Sequence, residues 1–117
     1  MGKSEGILEY QILENGRFGY LLQMSKASLI TLNIASKHFK EGDIVEVRKE
    51  NHVELGIVHE APQDSDRYNI VFYVKTQNGD KHYSSNPLAV NVFAPCLQVP
   101  EDIQMKLREC LQKKKTQ

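Results

Sequence analysis

No apolar run in the 117-residue chain approaches the roughly 20 residues a helix needs to span a bilayer, so membrane insertion is not expected. The opening residues, MGKSEGILEY, carry one lysine and no apolar stretch ahead of a small-residue cleavage site. No secretory signal is read there, and a cytoplasmic location is expected. Gly6 stands where a myristoylation motif requires Ser or Thr. Cysteine is scarce: Cys96 and Cys110 have neither a C-x-x-C spacing nor a neighbouring His pair, and read as half-buried thiols rather than ligands or a bridge. Net charge is missing too, with 15 Lys+Arg against 15 Asp+Glu, so no global field gathers a polyanion and duplex nucleic acid is not an expected partner. G-x-S-x-G, H-E-x-x-H, P-loop and dinucleotide-binding glycine signatures are all lacking, and no enzyme is expected. With no internal repeat, low-complexity tract or long linker, residues 1–117 read as a single domain.

What the chain does contain is a succession of short alternating segments. ILEYQIL (7–13) reads as a strand, and Glu14-Asn15-Gly16 as a turn into a second strand at Phe18 to Met24, because Asn and Gly tolerate positive φ. In Ser28 to Ala35, Leu29, Thr31 and Asn33 alternate with Ile30, Leu32 and Ile34, the latter set facing a core. Glu41-Gly42-Asp43 leads into IVEVRK, whose Val45 and Val47 alternate with Glu46 and Arg48 as in a half-buried strand. The polar connector 49–52 joins it to a hairpin partner in which Val53, Leu55 and Ile57 alternate with Glu54, Gly56 and Val58, Gly56 marking a bulge or bend. Ala61 to Asp66 is a loop, Tyr68 to Lys75 a strand, and Gln77 to Asp80 a turn; His82 to Ser85 forms a polar connector, and LAVNVF an edge strand or extended tail. From Pro100 the period changes: Ile103, Leu107, Cys110 and Leu111 share one helical face, with Glu101 and Asp102 in the first turn and Lys113, Lys114 and Lys115 at the end, complementing the helix dipole.

That order, with a Ser-bearing turn, a Gly-Asp lead into the next strand, an LGIV strand and a closing aromatic strand, resembles the PilZ domain family over roughly Gly16 to Val74. The resemblance implies a mainly β fold: a small antiparallel six-stranded β-barrel at about 6–93 with a C-terminal α-helix at about 100–114. It also implies a bacterial regulatory role in cyclic di-GMP signalling. Family members that bind this messenger use an Arg-x-x-x-Arg ahead of the barrel and an Asp/Asn-x-Ser-x-x-Gly at a strand junction, guanidinium forks gripping phosphates and guanine edges while small residues admit the ligand. Carried over, the second motif falls on Gln23, Ser25 and Ser28, of which only Ser25 matches. Ser28 adds a Cβ where Gly is wanted, costing about 1 kcal/mol if the backbone needs positive φ. No arginine precedes Arg17, so a dianionic ligand would meet only Arg17 and Lys26. The implied member is therefore degenerate: a non-catalytic adaptor that binds a protein partner, needs no cofactor and has lost cyclic di-GMP binding. Two alternatives stand beside it. One is an atypical cyclic di-GMP receptor that gathers Arg17, Arg48 or Arg67 in space; the other is an SH3- or OB-like barrel that binds RNA or peptide through its aromatics.

Tyr73 alternates out of phase with Ile70, Phe72 and Val74, which predicts an exposed aromatic able to anchor a partner, joined by Tyr83. Tyr10, Phe18, Tyr20, Tyr68 and Phe72 read as core or cross-strand partners. His59, Glu60, Asp64 and Asp66 crowd within eight residues, but no glycine positions them as ligands, and a hydrophilic loop is the simpler reading.

Overall fold

The structure is a computed structural model and describes residues 9–22 and 38–116. Its elements are β1 (Gln11–Ile12), β2 (Phe18–Leu21), β3 (Ile44–Arg48), β4 (His52–Glu60), β5 (Asn69–Thr76), β6 (Gly79–Ser85), β7 (Val92–Phe93) and α1 (Glu101–Lys115). The fold is mainly β with one C-terminal helix. All seven strands belong to one antiparallel sheet, ordered β1-β2-β4-β3-β7, with β5 paired to β4 and β6 to β5. Among the described residues β1, β6 and β7 each pair with a single strand, so the sheet is open. This corrects the six-stranded closed barrel: closure requires the end strands to bond each other, and these do not. The expected strand at Ser28 to Ala35 lies outside the described residues.

The sheet is organised around β4. β3 runs along it from Val53 to Ile57; β2 pairs with residues 52–54 and β5 with residues 57–60. β2 and β5 therefore share the opposite edge of one long strand, and the sheet forks there. The register shifts between Val58 and Glu60 rather than at Gly56, where the bulge was expected. Gly56 serves instead for close approach, since a Cβ there would lie 2.5 Å from the Ile70 side chain. The β1–β2 turn closes as predicted, with Gly16 at φ +89, and its carbonyl accepts from the Lys75 N–H at 2.8 Å, tying the turn to the far end of β5. Residues 82–85, expected as a connector, are strand: the turn at 77–78 makes a hairpin in which Phe72 opposes Tyr83. LAVNVF divides into a short 3-10 turn at Ala89–Asn91 and the edge strand β7.

Both faces of the sheet are buried. On one, Tyr10, Phe18, Tyr20, Val53, Leu55, Ile57, Val71 and Tyr73 pack with Ile103, Leu107, Cys110 and Leu111 of α1. On the other, Val45, Val47, Val58, Tyr68, Ile70, Phe72 and Val92 pack with Phe39, Ala61 and Ala89. The helix spans the predicted residues, buries the predicted face and packs on the chain's own β4, β5 and β6. No helix among the described residues is long and apolar enough to cross a membrane.

Burial on both sides overturns the half-buried reading of β3 and β4, because Glu46 and Glu54 are each only 1% exposed. Glu46 sits on the helix-covered face. It accepts from the Tyr10 hydroxyl at 2.6 Å, the Tyr20 hydroxyl at 3.0 Å and the Cys96 N–H at 3.0 Å. Burial, reinforced by the Glu46 charge, holds both tyrosines far above the ordinary phenol range. Three separate stretches of chain thus converge on a carboxylate carried by a fourth.

Candidate functional site

The register places a second buried carboxylate on the opposite face. Gly19 pairs with Glu54, and the β1–β2 turn brings Asn15 and Arg17 over it from the hairpin end. Arg17 Nη1 donates to Glu54 Oε1 at 3.0 Å and Oε2 at 3.2 Å, and Asn15 Nδ2 donates to Oε2 at 2.9 Å. His52 Nε2 lies 2.9 Å from the same Oε2. The other side of the arginine is aromatic: its guanidinium carbon sits 4.3 Å from the Tyr83 ring centre and 5.6 Å from that of Phe72. Tyr83 remains 45% exposed, so the stack presents a tyrosine face at the surface with a charged backing.

The electrostatics follow from this packing. Burial alone would raise the Glu54 carboxyl, but the His52 hydrogen bond, the Arg17 charge and the Asn15 amide outweigh it and hold the group below its ordinary value of 4.5. Because the folded-state value lies below the unfolded one, Glu54 contributes stability in full above the unfolded value and loses it as pH falls through the folded value. Denaturant titrations of wild type and Glu54→Gln between pH 7 and pH 3 should therefore show the wild-type advantage shrinking with acid. An advantage constant across that range would refute the assignment.

Arg17 and Tyr83, which the sequence assigned to separate roles, are thus brought together in one stack. Tyr73 is not part of it. Predicted to be exposed, it is 4% exposed, stacked on Phe18 with ring centres 4.7 Å apart, and its hydroxyl donates to Asp80 at 2.8 Å. Burial, with the Asp80 hydrogen bond, pushes that phenol up to about 12. The alternation was read correctly, but the face it points to is covered by α1. Gln23, Ser25, Lys26 and Ser28 lie outside the described residues.

The arginines do not converge. Arg48 lies over Phe93, its guanidinium carbon 4.3 Å from the ring centre, and Arg67 donates to the Asn86 carbonyl at 2.7 Å, so Arg17, Arg48 and Arg67 each have different neighbours. His59 sits with its ring 3.1 Å from Asn69 Oδ1. No group of three or more metal-ligating side chains occurs among the described residues.

Glu54, His52 and Asn15 were missed as site residues. A signal for Glu54 was present in the neighbouring strand: Ile70, Val71, Phe72 and Tyr73 are apolar in both phases, which is the pattern of a strand buried on two sides. A carboxylate in its partner strand must then be buried and paired. Compared with family models, curated proteins and solved structures, the chain finds no match in any of the three.

Proposed function

We propose that this chain is a non-catalytic adaptor module of the bacterial cytoplasm, a degenerate PilZ-like domain that has lost cyclic di-GMP binding and engages a protein partner through the Arg17–Tyr83 stack. The observation that carries the reading is the engagement of Arg17. Its Nη1 is held by Glu54 and its flat face by Tyr83, and no second guanidinium shares those neighbours among the described residues. A cyclic dinucleotide carries two phosphates and calls for at least two forks free to turn toward it. An exposed tyrosine backed by a fixed arginine instead offers a rigid amphipathic contact, with little side-chain entropy left to lose on association. The family likeness in this proposal rests on the order of elements from Gly16 to Val74.

Calorimetric titration of the purified protein with cyclic di-GMP at moderate salt is expected to give no heat, with unchanged amide resonances. Binding at micromolar concentration or tighter, abolished by Arg17→Ala, would replace the adaptor with a receptor.

A further inference from the structure

Arg48 has a chemistry that neither face of the core uses. It closes β3 opposite Val53, on the same side of the sheet as Glu46 two residues earlier. Its Nε, Nη1 and Nη2 are all buried, and none makes a hydrogen bond among the described residues. A guanidinium stays charged at any pH a folded protein meets, and a buried charge without a partner is strongly unfavourable. The carboxylate on its own strand is committed elsewhere, since Glu46 accepts from Tyr10, Tyr20 and the Cys96 N–H. One flat side of the guanidinium is closed by Phe93, 4.3 Å away, so a counter-ion must approach in the plane of the fork.

We infer that Arg48 is an anion site that takes a carboxylate in the plane of its guanidinium, above the Phe93 ring. Two parallel N–H donors match the two oxygens of a carboxylate, and the aromatic surface holds the fork at a fixed tilt. Glu46 on the same face disfavours a second negative charge, which selects a monoanion over a phosphate dianion. The site stands on the other face of the sheet from Arg17 and Tyr83 and does not depend on the adaptor reading.

The test is thermal unfolding of wild type and Arg48→Met in sodium acetate, sodium phosphate and sodium chloride at matched ionic strength and pH 7, together with an acetate titration of the wild-type Arg48 Nε–Hε resonance. Acetate should raise the wild-type midpoint over chloride by about 4 °C or more at saturation. In Arg48→Met that difference should vanish, which also removes any general salt effect. The Nε–Hε resonance should shift and saturate along the titration. A short peptide with a free C-terminal carboxylate, compared with its amidated twin, separates the sources: response to acetate alone assigns a small acid, and a tighter response to the free-acid peptide assigns a chain terminus. Equal midpoints in acetate and chloride with an unmoved resonance would overturn the site, and a response to phosphate alone would overturn its selectivity. Should Arg48→Met fail to fold, Arg48→Lys, which keeps the charge without the fork, should lose the acetate preference. The resonance titration needs no variant.

Discussion

Glu46→Ala is expected to destabilise the protein by about 3 kcal/mol or more, the loss that follows when several buried donors are orphaned together. The Tyr10 and Tyr20 hydroxyls and the Cys96 N–H all converge on that carboxylate. Tyr10 keeps one weak alternative, the Leu97 carbonyl at 3.3 Å, and the Cys96 side chain stands beside the Tyr20 hydroxyl as a weaker partner than the carboxylate. The residues so tied lie before β1, in β2, in β3 and in the 94–100 stretch that carries the chain from β7 into α1. Loss of the carboxylate should therefore loosen the seat of the helix as well as the sheet. Glu46→Gln keeps one acceptor oxygen and should cost distinctly less. Tyr20→Phe should cost about 1 kcal/mol, and in a double-mutant cycle with Glu46→Gln the losses should be less than additive. Equilibrium urea denaturation of the variants measures all of this. An alanine variant as stable as wild type would mean that the network is incidental.

Gly19→Ala should be comparably damaging for a purely steric reason. A Cβ on residue 19 would stand 2.0 Å from the Val53 carbonyl oxygen and 2.7 Å from Leu13 Cδ1. The leucine side chain can move aside, but the carbonyl belongs to β4, the strand that β2 must bond. The only relief is to withdraw β2, which strips the pairing at residues 19–21 and lifts Arg17 and Asn15 from Glu54. Overpacking that displaces backbone costs roughly 1–3 kcal/mol, and the broken pairing and exposed polar cluster add to it. Gly42→Ala supplies the contrast. Residue 42 has φ +91 but nothing within 4 Å of a built Cβ, so it should show only the left-handed backbone penalty of about 1–2 kcal/mol. If the two substitutions prove equal, steric closure at residue 19 is not what holds β2 in place.

How far the site was legible depended on which neighbours a residue met. Arg17 could be marked because it is the first arginine in the chain, and Tyr83 because it follows an aromatic strand. Their meeting at 4.3 Å requires the β5–β6 register, which places Tyr83 opposite Phe72 and under the β1–β2 turn. Tyr73 shows the opposite case. Its phase relative to Phe72 was read correctly, yet phase alone does not say which side is wet when a sheet has helix on one face and loops on the other. The same alternation places Glu46 and Glu54 toward solvent, and both are buried. The Arg48 guanidinium is invisible to sequence reading altogether, because being unpartnered is a property of surroundings and not of residue type.

By itself, the sequence determined the local elements: the β3–β4 hairpin from alternation, the β1–β2 turn from Asn15-Gly16, and α1 from the spacing of Ile103, Leu107, Cys110 and Leu111 together with its charged ends. These depend on interactions a few residues apart, which composition and period encode directly. Only the tertiary structure decided that β4 is shared by three strands, that the described sheet stays open, and that two glutamates lie inside it. Those outcomes turn on which surfaces meet across long stretches of chain, where burial, pairing and close approach are properties of the whole assembly.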